Sequence, residues 1–292
     1  MGAESLRWGT GPAWPNAAAS RFVDAAGLRW HLQRLGAAGA PPLLLLHGTG
    51  ASTHSWRGLL PLLAARFDTL ALDLPGHAYT ATPGPAGLGL PGMASEIGEL
   101  LRELGFAPAV IVGHSAGAAI AAQMALAGHA RPRALVGLNA ALLPLHGLAG
   151  QLFSPLAKLL ALNPLVPRLF AWRAADPRVL QRLLDGTGSS LDGEGRALYR
   201  RLVADPAHVA GALGMMANWD LDTLARALPR LAVPLHLLVG GADRTVPPAQ
   251  AAQVQALLPG TRVVVLEGLG HLAHEEQPAR VADEISHFAG SG

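Results

Sequence analysis

Six short, unbroken apolar runs set the tightest limit on what this chain can fold into. They are Pro42–His47 (PLLLLH), Thr69–Asp73 (TLALD), Ala109–Gly113 (AVIVG), Ala134–Asn139 (ALVGLN), Leu235–Gly240 (LHLLVG) and Arg262–Glu267 (RVVVLE). Runs this short, without polar alternation, suit strands covered on both faces, as in parallel sheets flanked by helices. Helical patterns separate them: Ser55–Arg66, about Met93 to Leu104, a helix from Ser115, and one near Pro278–Ala289. Residues 83–92 (PGPAGLGLPG) read as a Pro/Gly loop, and Arg21–Asp24 with Leu28–Leu35 as a leading pair of strands behind an extended arm carrying Trp8 and Trp14. The alternation predicts a mostly parallel central sheet with helices on both faces. It stops between Ala140 and Pro229, where only helical segments are recognisable, so a helical cap is expected after the sixth strand. The expected division is an N-terminal arm 1–20, a first part of the core 21–139, the cap 140–229 and a second part of the core 230–292.

Half of the 292 residues are apolar, enough for a sizeable core and too many for a disordered chain. A net charge of +2 gives no broad footprint for nucleic acid, and Lys158 is the only lysine. The absence of cysteine excludes disulfides, thiolate zinc sites and a cysteine nucleophile. The opening MGAESLRWGTGPAWPN lacks the continuous apolar stretch of a signal peptide, and Leu6 breaks the myristoylation pattern. A cytoplasmic location is the expectation, at most peripheral to a membrane.

Gly113-His114-Ser115-Ala116-Gly117 matches G-x-S-x-G and lies between the strand AVIVG and an Ala-rich helix. That context makes it a nucleophile elbow: small residues permit a tight strand-to-helix turn that lifts the Ser115 hydroxyl above the sheet edge. The Ala116 N–H, opening the helix, then points where an oxyanion would develop. A serine nucleophile needs a base, and the base an orienting acid. Asp243, in GGADRTVPP after LHLLVG, and His271, in LEGLGHLAHEE after RVVVLE, follow in the expected order. His274 is a rival base, but it falls three residues later, where the next helix begins. The second oxyanion donor is assigned to the Thr49 N–H of His47-Gly48-Thr49-Gly50, with Gly48 allowing close approach. Gly48, His114, Met215, Met216 and Trp219 are the candidate substrate-binding residues. No metal motif such as HExxH occurs, and no cofactor is expected.

Together HGTG, DLPGH, GHSAG, GGADRTVPP and GLGHLAHEEQP resemble the α/β-hydrolase fold superfamily over residues 20–290. Relatives such as haloalkane dehalogenases and epoxide hydrolases place an aspartate where this chain has Ser115. Others carry the triad acid after the sixth strand, where Asn139 stands here, which leaves Asp243 as the acid. Longer stretches, among them HGTGASTHSWRGLLPLL, LNAALLPLHGLAGQLFSPLAKLLALNPLVPRLFAWRAADP and LGMMANWDL, resemble the magnesium-chelatase accessory family of bacteriochlorophyll biosynthesis. This second resemblance implies a photosynthetic bacterium, a role around magnesium insertion into a porphyrin, and chelatase subunits as partners. It supplies no reaction; the triad points to hydrolysis, and nothing in the residues chooses among esters, thioesters, amides and carbon–carbon bonds. A small hydrophobic substrate is expected, with a tetrapyrrole or lipid ester as candidates. The rival expectation is a non-catalytic protein that presents porphyrin to chelatase or membrane.

The window Gly147–Leu184 holds Lys158, Arg168, Arg173, Arg178 and Arg182 against Asp176, around the apolar but Pro-interrupted LFSPLAKLLALNPLVPRLFAW. Its short pieces argue against a spanning helix. They suit a surface helix at an anionic membrane, a cover over a greasy pocket, or apolar side chains packed on the core beneath solvated arginines.

Overall fold

The apolar runs are strands. In the computed structural model, which describes residues 6–9, 13–144, 163, 165–174 and 176–290, one eight-stranded sheet runs in the order β1-β2-β4-β3-β5-β6-β7-β8. Its strands are β1 Ser20–Ala25, β2 Leu28–Leu35, β3 Pro42–Leu46, β4 Asp68–Leu72, β5 Val110–His114, β6 Ala134–Leu138, β7 Leu235–Gly240 and β8 Arg262–Leu266. β1 and β2 form a hairpin through Ala26 and Gly27, both at positive φ, the tight turn whose twist matches antiparallel strands. β2 is also antiparallel to β4; the other pairs are parallel.

Alternate residues of each strand feed two layers, because side chains alternate across a sheet. Leu44, Leu46, Ile111, Leu135 and Leu237 join the core beneath α2 (Leu90–Glu103) and α3 (Ala116–Ala127). Leu43, Leu45, Val110, Val112, Val136 and Leu238 face the other layer. That layer is covered by α1 (Leu59–Leu63) and the last helix, Pro278–Gly290.

Between β6 and β7 the regular elements among the described residues are helical: α4 Leu165–Ala174, α5 Pro177–Asp185, α6 Gly193–Val203, α7 Pro206–Ala217 and α8 Leu221–Ala227. Residues 145–162, including Lys158 and most of the apolar stretch, lie outside the described residues. After β7 come α9 (Ala249–Leu257), α10 (Ala273–Glu276) and α11, the helix over 278–290 already mentioned. Among the described residues no helix is long and apolar enough to cross a membrane.

Local expectations needed correction in four places. The Ser55–Arg66 pattern is a 3-10 turn over Thr53–Trp56 followed by α1, broken at Gly58, where a Cβ would lie 2.9 Å from Pro278 Cγ. α2 starts at Leu90 rather than Met93, because Pro91 sits in the first turn, where its missing N–H costs nothing. The α3 helix starts at Ala116, one residue past Ser115. RVVVLE is an edge strand with Val265 exposed, since among the described residues no further strand pairs with it. The arm is also less free than an extended reading suggests. Trp14 is buried, donates its indole N–H to Thr53 Oγ1 at 3.1 Å, and packs against Leu198 and Leu202 of α6.

Candidate active site

β5 delivers Ser115 into a strained conformation, φ 52° and ψ −116°, of a kind that costs a residue with a side chain about 1–3 kcal/mol. Backbone bonds hold it: Ser115 N–H donates to Leu138 O at 2.9 Å, and Ser115 O accepts from Ala118 and Ala141 N–H, each at 3.1 Å. The flanking glycines are required by contact. A Cβ on Gly117 would lie 2.1 Å from Leu46 O, and one on Gly113 2.4 Å from Ala118 N. Ala116 is the first residue of α3, so its N–H is among the helix amides without an intrahelical acceptor.

Asp243 follows β7 and His271 follows β8, and their side chains meet, with His271 Nδ1 2.7 Å from Asp243 Oδ2. Asn139 Nδ2 donates to the same Oδ2 at 2.7 Å, while Asp243 Oδ1 accepts Thr245 and Val246 N–H at 2.7 and 2.9 Å. Four donors satisfy a buried carboxylate that would otherwise be costly. The acceptor at Oδ2 assigns the imidazole proton to Nδ1 and leaves the Nε2 lone pair outward. Among the described residues no hydrogen bond joins Ser115 Oγ to His271 Nε2. The elbow and the histidine loop are tied instead by His114, whose Nε2 donates to His271 O at 2.9 Å. Burial, then the neighbouring His274 and His271 rings, push His114 well below the usual histidine range, so it is neutral.

The HGTG loop closes on the elbow. A Cβ on Gly48 would lie 2.9 Å from His114 Nδ1 and 3.1 Å from Ser115 Cβ. His47 fixes the loop by donating from Nδ1 to Gly48 O at 2.8 Å and accepting Leu74 N–H on Nε2 at 2.9 Å. Burial, then His77, lower it to about 3. Thr49 is half-buried, and its hydroxyl donates to Met215 Sδ at 3.4 Å, which places α7 against this loop. Met216 is half-buried near the end of α7, whereas Trp219 is buried in the main core. His274 points away from Asp243: its Nε2 pairs with Ser55 Oγ at 2.9 Å, and burial lowers it to about 3.

A second Ser–His–Asp row exists. Ser20 Oγ lies 3.0 Å from His31 Nε2, and His31 Nδ1 lies 2.7 Å from Asp73 Oδ2. It is a brace. Ser20 has ordinary extended geometry and accepts Gln33 Nε2, and Asp73 Oδ1 accepts Thr53 N–H at 2.7 Å. Burial would raise Asp73, but His31 and these donors hold it at about 2.

The sequence reading missed two supports. One is the Asn139 amide. The other is Thr187-Gly188-Ser189, wedged between the two loops: Thr187 O accepts N–H bonds from Arg244 and His271, and Ser189 Oγ accepts Leu272 N–H. A Cβ on Gly188, at φ 77°, would lie 2.1 Å from Ala242 O. The only signal was the turn-forming GTGSS at 186–190. Among the described residues no group of three or more His, Asp or Glu is placed to hold a metal ion.

The eight-stranded, mostly parallel sheet with its G-x-S-x-G elbow defines a class of protein, and the family model of the alpha/beta hydrolase fold matches residues 41–278: the chain belongs to that family. It is 41% identical over 262 residues, 90% of this chain and 91% of the relative, to a protein of Rhodobacter capsulatus named magnesium-chelatase 30 kDa subunit. It is 28% identical over 273 residues, 86% of this chain and 96% of the relative, to a pimeloyl-[acyl-carrier protein] methyl ester esterase of Aeromonas hydrophila. Among solved structures, an alpha/beta hydrolase fold protein from Burkholderia ambifaria superposes with a TM-score of 0.76 at 22% identity, over 91% of this chain and 97% of that one.

Proposed function

We propose that this protein is a serine hydrolase that cleaves an ester-type bond in a hydrophobic substrate and works alongside magnesium chelatase. The observation that supports the chemistry is the strained Ser115 elbow, joined through the hydrogen bond of the adjacent His114 to His271 O, beside the paired side chains of Asp243 and His271. His271 Nε2 takes the Ser115 proton as Oγ attacks the carbonyl carbon. The N–H groups of Ala116 and Thr49 hold the tetrahedral oxyanion, a contribution of about 3–4 kcal/mol per donor in comparable sites. As the intermediate collapses, the ester C–O bond breaks and His271 returns its proton to the leaving alkoxide. Water then repeats the sequence on the acyl-enzyme and frees Ser115. Asp243 keeps the tautomer and steadies the imidazolium. Gly48, His114, Met215, Met216 and Trp219 remain the proposed substrate-binding residues, with Met215 supported by its contact to Thr49.

The link to chelatase rests on the Rhodobacter relative's name and on its 41% identity across nine-tenths of the chain. A tetrapyrrole ester is the substrate proposed on that ground. The same name favours a second reading, a binding accessory whose triad does no work. Fluorophosphonate labelling beside Ser115→Ala, read by intact mass, separates the two. One adduct, lost in the variant, is expected of the hydrolase. A folded wild-type protein that takes no adduct sinks that reading and leaves the binding role.

A further inference from the structure

Helix α4 is inside out. Its buried side chains are small or constrained, Pro167, Ala171 and Ala174, and they pack toward α7. Its large apolar side chains face outward: Leu165 is 63%, Leu169 58% and Trp172 67% exposed. At about 100° per residue, these three share one face within roughly 60° of arc, with Arg168 on one side of it and Arg173 on the other. A helix of a soluble domain ordinarily buries its leucines and tryptophans and turns small residues outward. The neighbouring α5 adds exposed Leu183 and exposed Arg178 and Arg182. From 163 to 184 the single acid is Asp176, and its carboxylate caps α5 by accepting Arg178 N–H. Among the described residues none of these four arginines has an ion-pair partner.

We propose that this face of α4 seats the protein on an anionic lipid surface. An apolar stripe edged on both sides by guanidinium groups matches the two layers of a bilayer interface. Leu165, Leu169 and Trp172 enter the headgroup–acyl boundary while Arg168 and Arg173 meet phosphates at its rim. The axis of α4 then lies in the membrane plane, and the insertion that braces the Asp243 and His271 loops becomes the membrane-facing side of the molecule. The seat goes beyond the hydrolase reading and does not depend on it.

The test is co-sedimentation of the full chain with vesicles of phosphatidylcholine alone and with an equal mixture of phosphatidylcholine and phosphatidylglycerol. Binding is expected only to the mixture and should weaken as salt is raised. Arg168→Glu with Arg173→Glu should lower partitioning by about thirtyfold or more, and Leu169→Ser with Trp172→Ser should abolish it. Both double variants should keep wild-type fluorophosphonate labelling at Ser115 and wild-type thermal unfolding. If labelling fails in every protein while vesicles still bind, the hydrolase reading falls and the membrane seat stands. Equal binding to both vesicles, unchanged binding of the charge-reversed variant, or no binding overturns the seat. So does a concentration-dependent dimer without lipid that Leu169→Ser dissolves, which would assign the face to a second copy of the chain.

Discussion

Asn139 and His271 share one carboxylate oxygen, Asp243 Oδ2, each at 2.7 Å. Removing the amide leaves that oxygen with His271 alone, while the Thr245 and Val246 N–H groups still hold Oδ1. A hydrogen bond to a charged group contributes about 1.5–3 kcal/mol, so Asn139→Ala should lower kcat roughly 10–100-fold with KM little changed, measured on any ester the wild type turns over. The Ser20–His31–Asp73 row makes the opposite prediction. Its His–Asp distance equals that of the proposed triad, 2.7 Å, and its serine sits within hydrogen-bond reach of the ring, yet Ser20 lacks both the strained turn and a helix amide beside it. Ser20→Ala should therefore label with fluorophosphonate as fully as the wild type, and a lost adduct would move the nucleophile. Residues of this kind set the limit of what the sequence makes legible. Ser115, Asp243 and His271 stand out because each sits in a short motif directly after a strand. Asn139 could be read only as a position without an acid, since its partner lies 104 residues away and an amide donor has no local signature.

At the scale of elements, the insertion and the core are fitted to each other at glycines. A Cβ on Gly211 of α7 would lie 1.8 Å from Gly76 O, and one on Gly188, just past α5, 2.1 Å from Ala242 O. Gly188→Ala adds a side chain to a positive-φ turn and forces the loops of Asp243 and His271 apart. The conformation alone costs about 1–3 kcal/mol, and a displacement near 1 Å at a reacting group costs roughly a hundredfold in rate. Unfolding midpoint and kcat should both fall, and an unchanged kcat would show that the wedge does not position the site. The strands were readable because buried parallel strands leave unbroken apolar runs, whereas their order of pairing, with β4 between β2 and β3, has no local signature. Exposure was not readable: RVVVLE looks like PLLLLH, and β8 is an edge because, among the described residues, only β7 pairs with it. Helix α4 shows the same limit in reverse, since apolar residues in sequence do not say which face they take.

Over the whole molecule, buried neutral histidines tie stability to acidity. Burial, with neighbouring charges second, lowers His47, His77 and His274 to about 3 and His208 to about 4, from an ordinary 6.5. Below pH 6.5 the unfolded chain binds protons that the native one refuses, so stability is full above that value and falls as pH drops toward 4. Each such histidine contributes a slope of up to about 1.4 kcal/mol per pH unit. The melting temperature should be flat above pH 7 and drop steeply below 6; a flat profile down to pH 5 would mean the native state accepts those protons. The sheet order carries a different consequence. Ser115 hangs from β5, in the middle of the sheet, while Asp243 and His271 hang from the last two strands, β7 and β8. Amides at a sheet margin exchange through local opening long before those at its centre. The proposed nucleophile and its proposed base therefore belong to parts of the fold with different lifetimes. Mild denaturant should detach His271 first, abolishing fluorophosphonate labelling while hydrogen exchange still finds β3 and β5 closed.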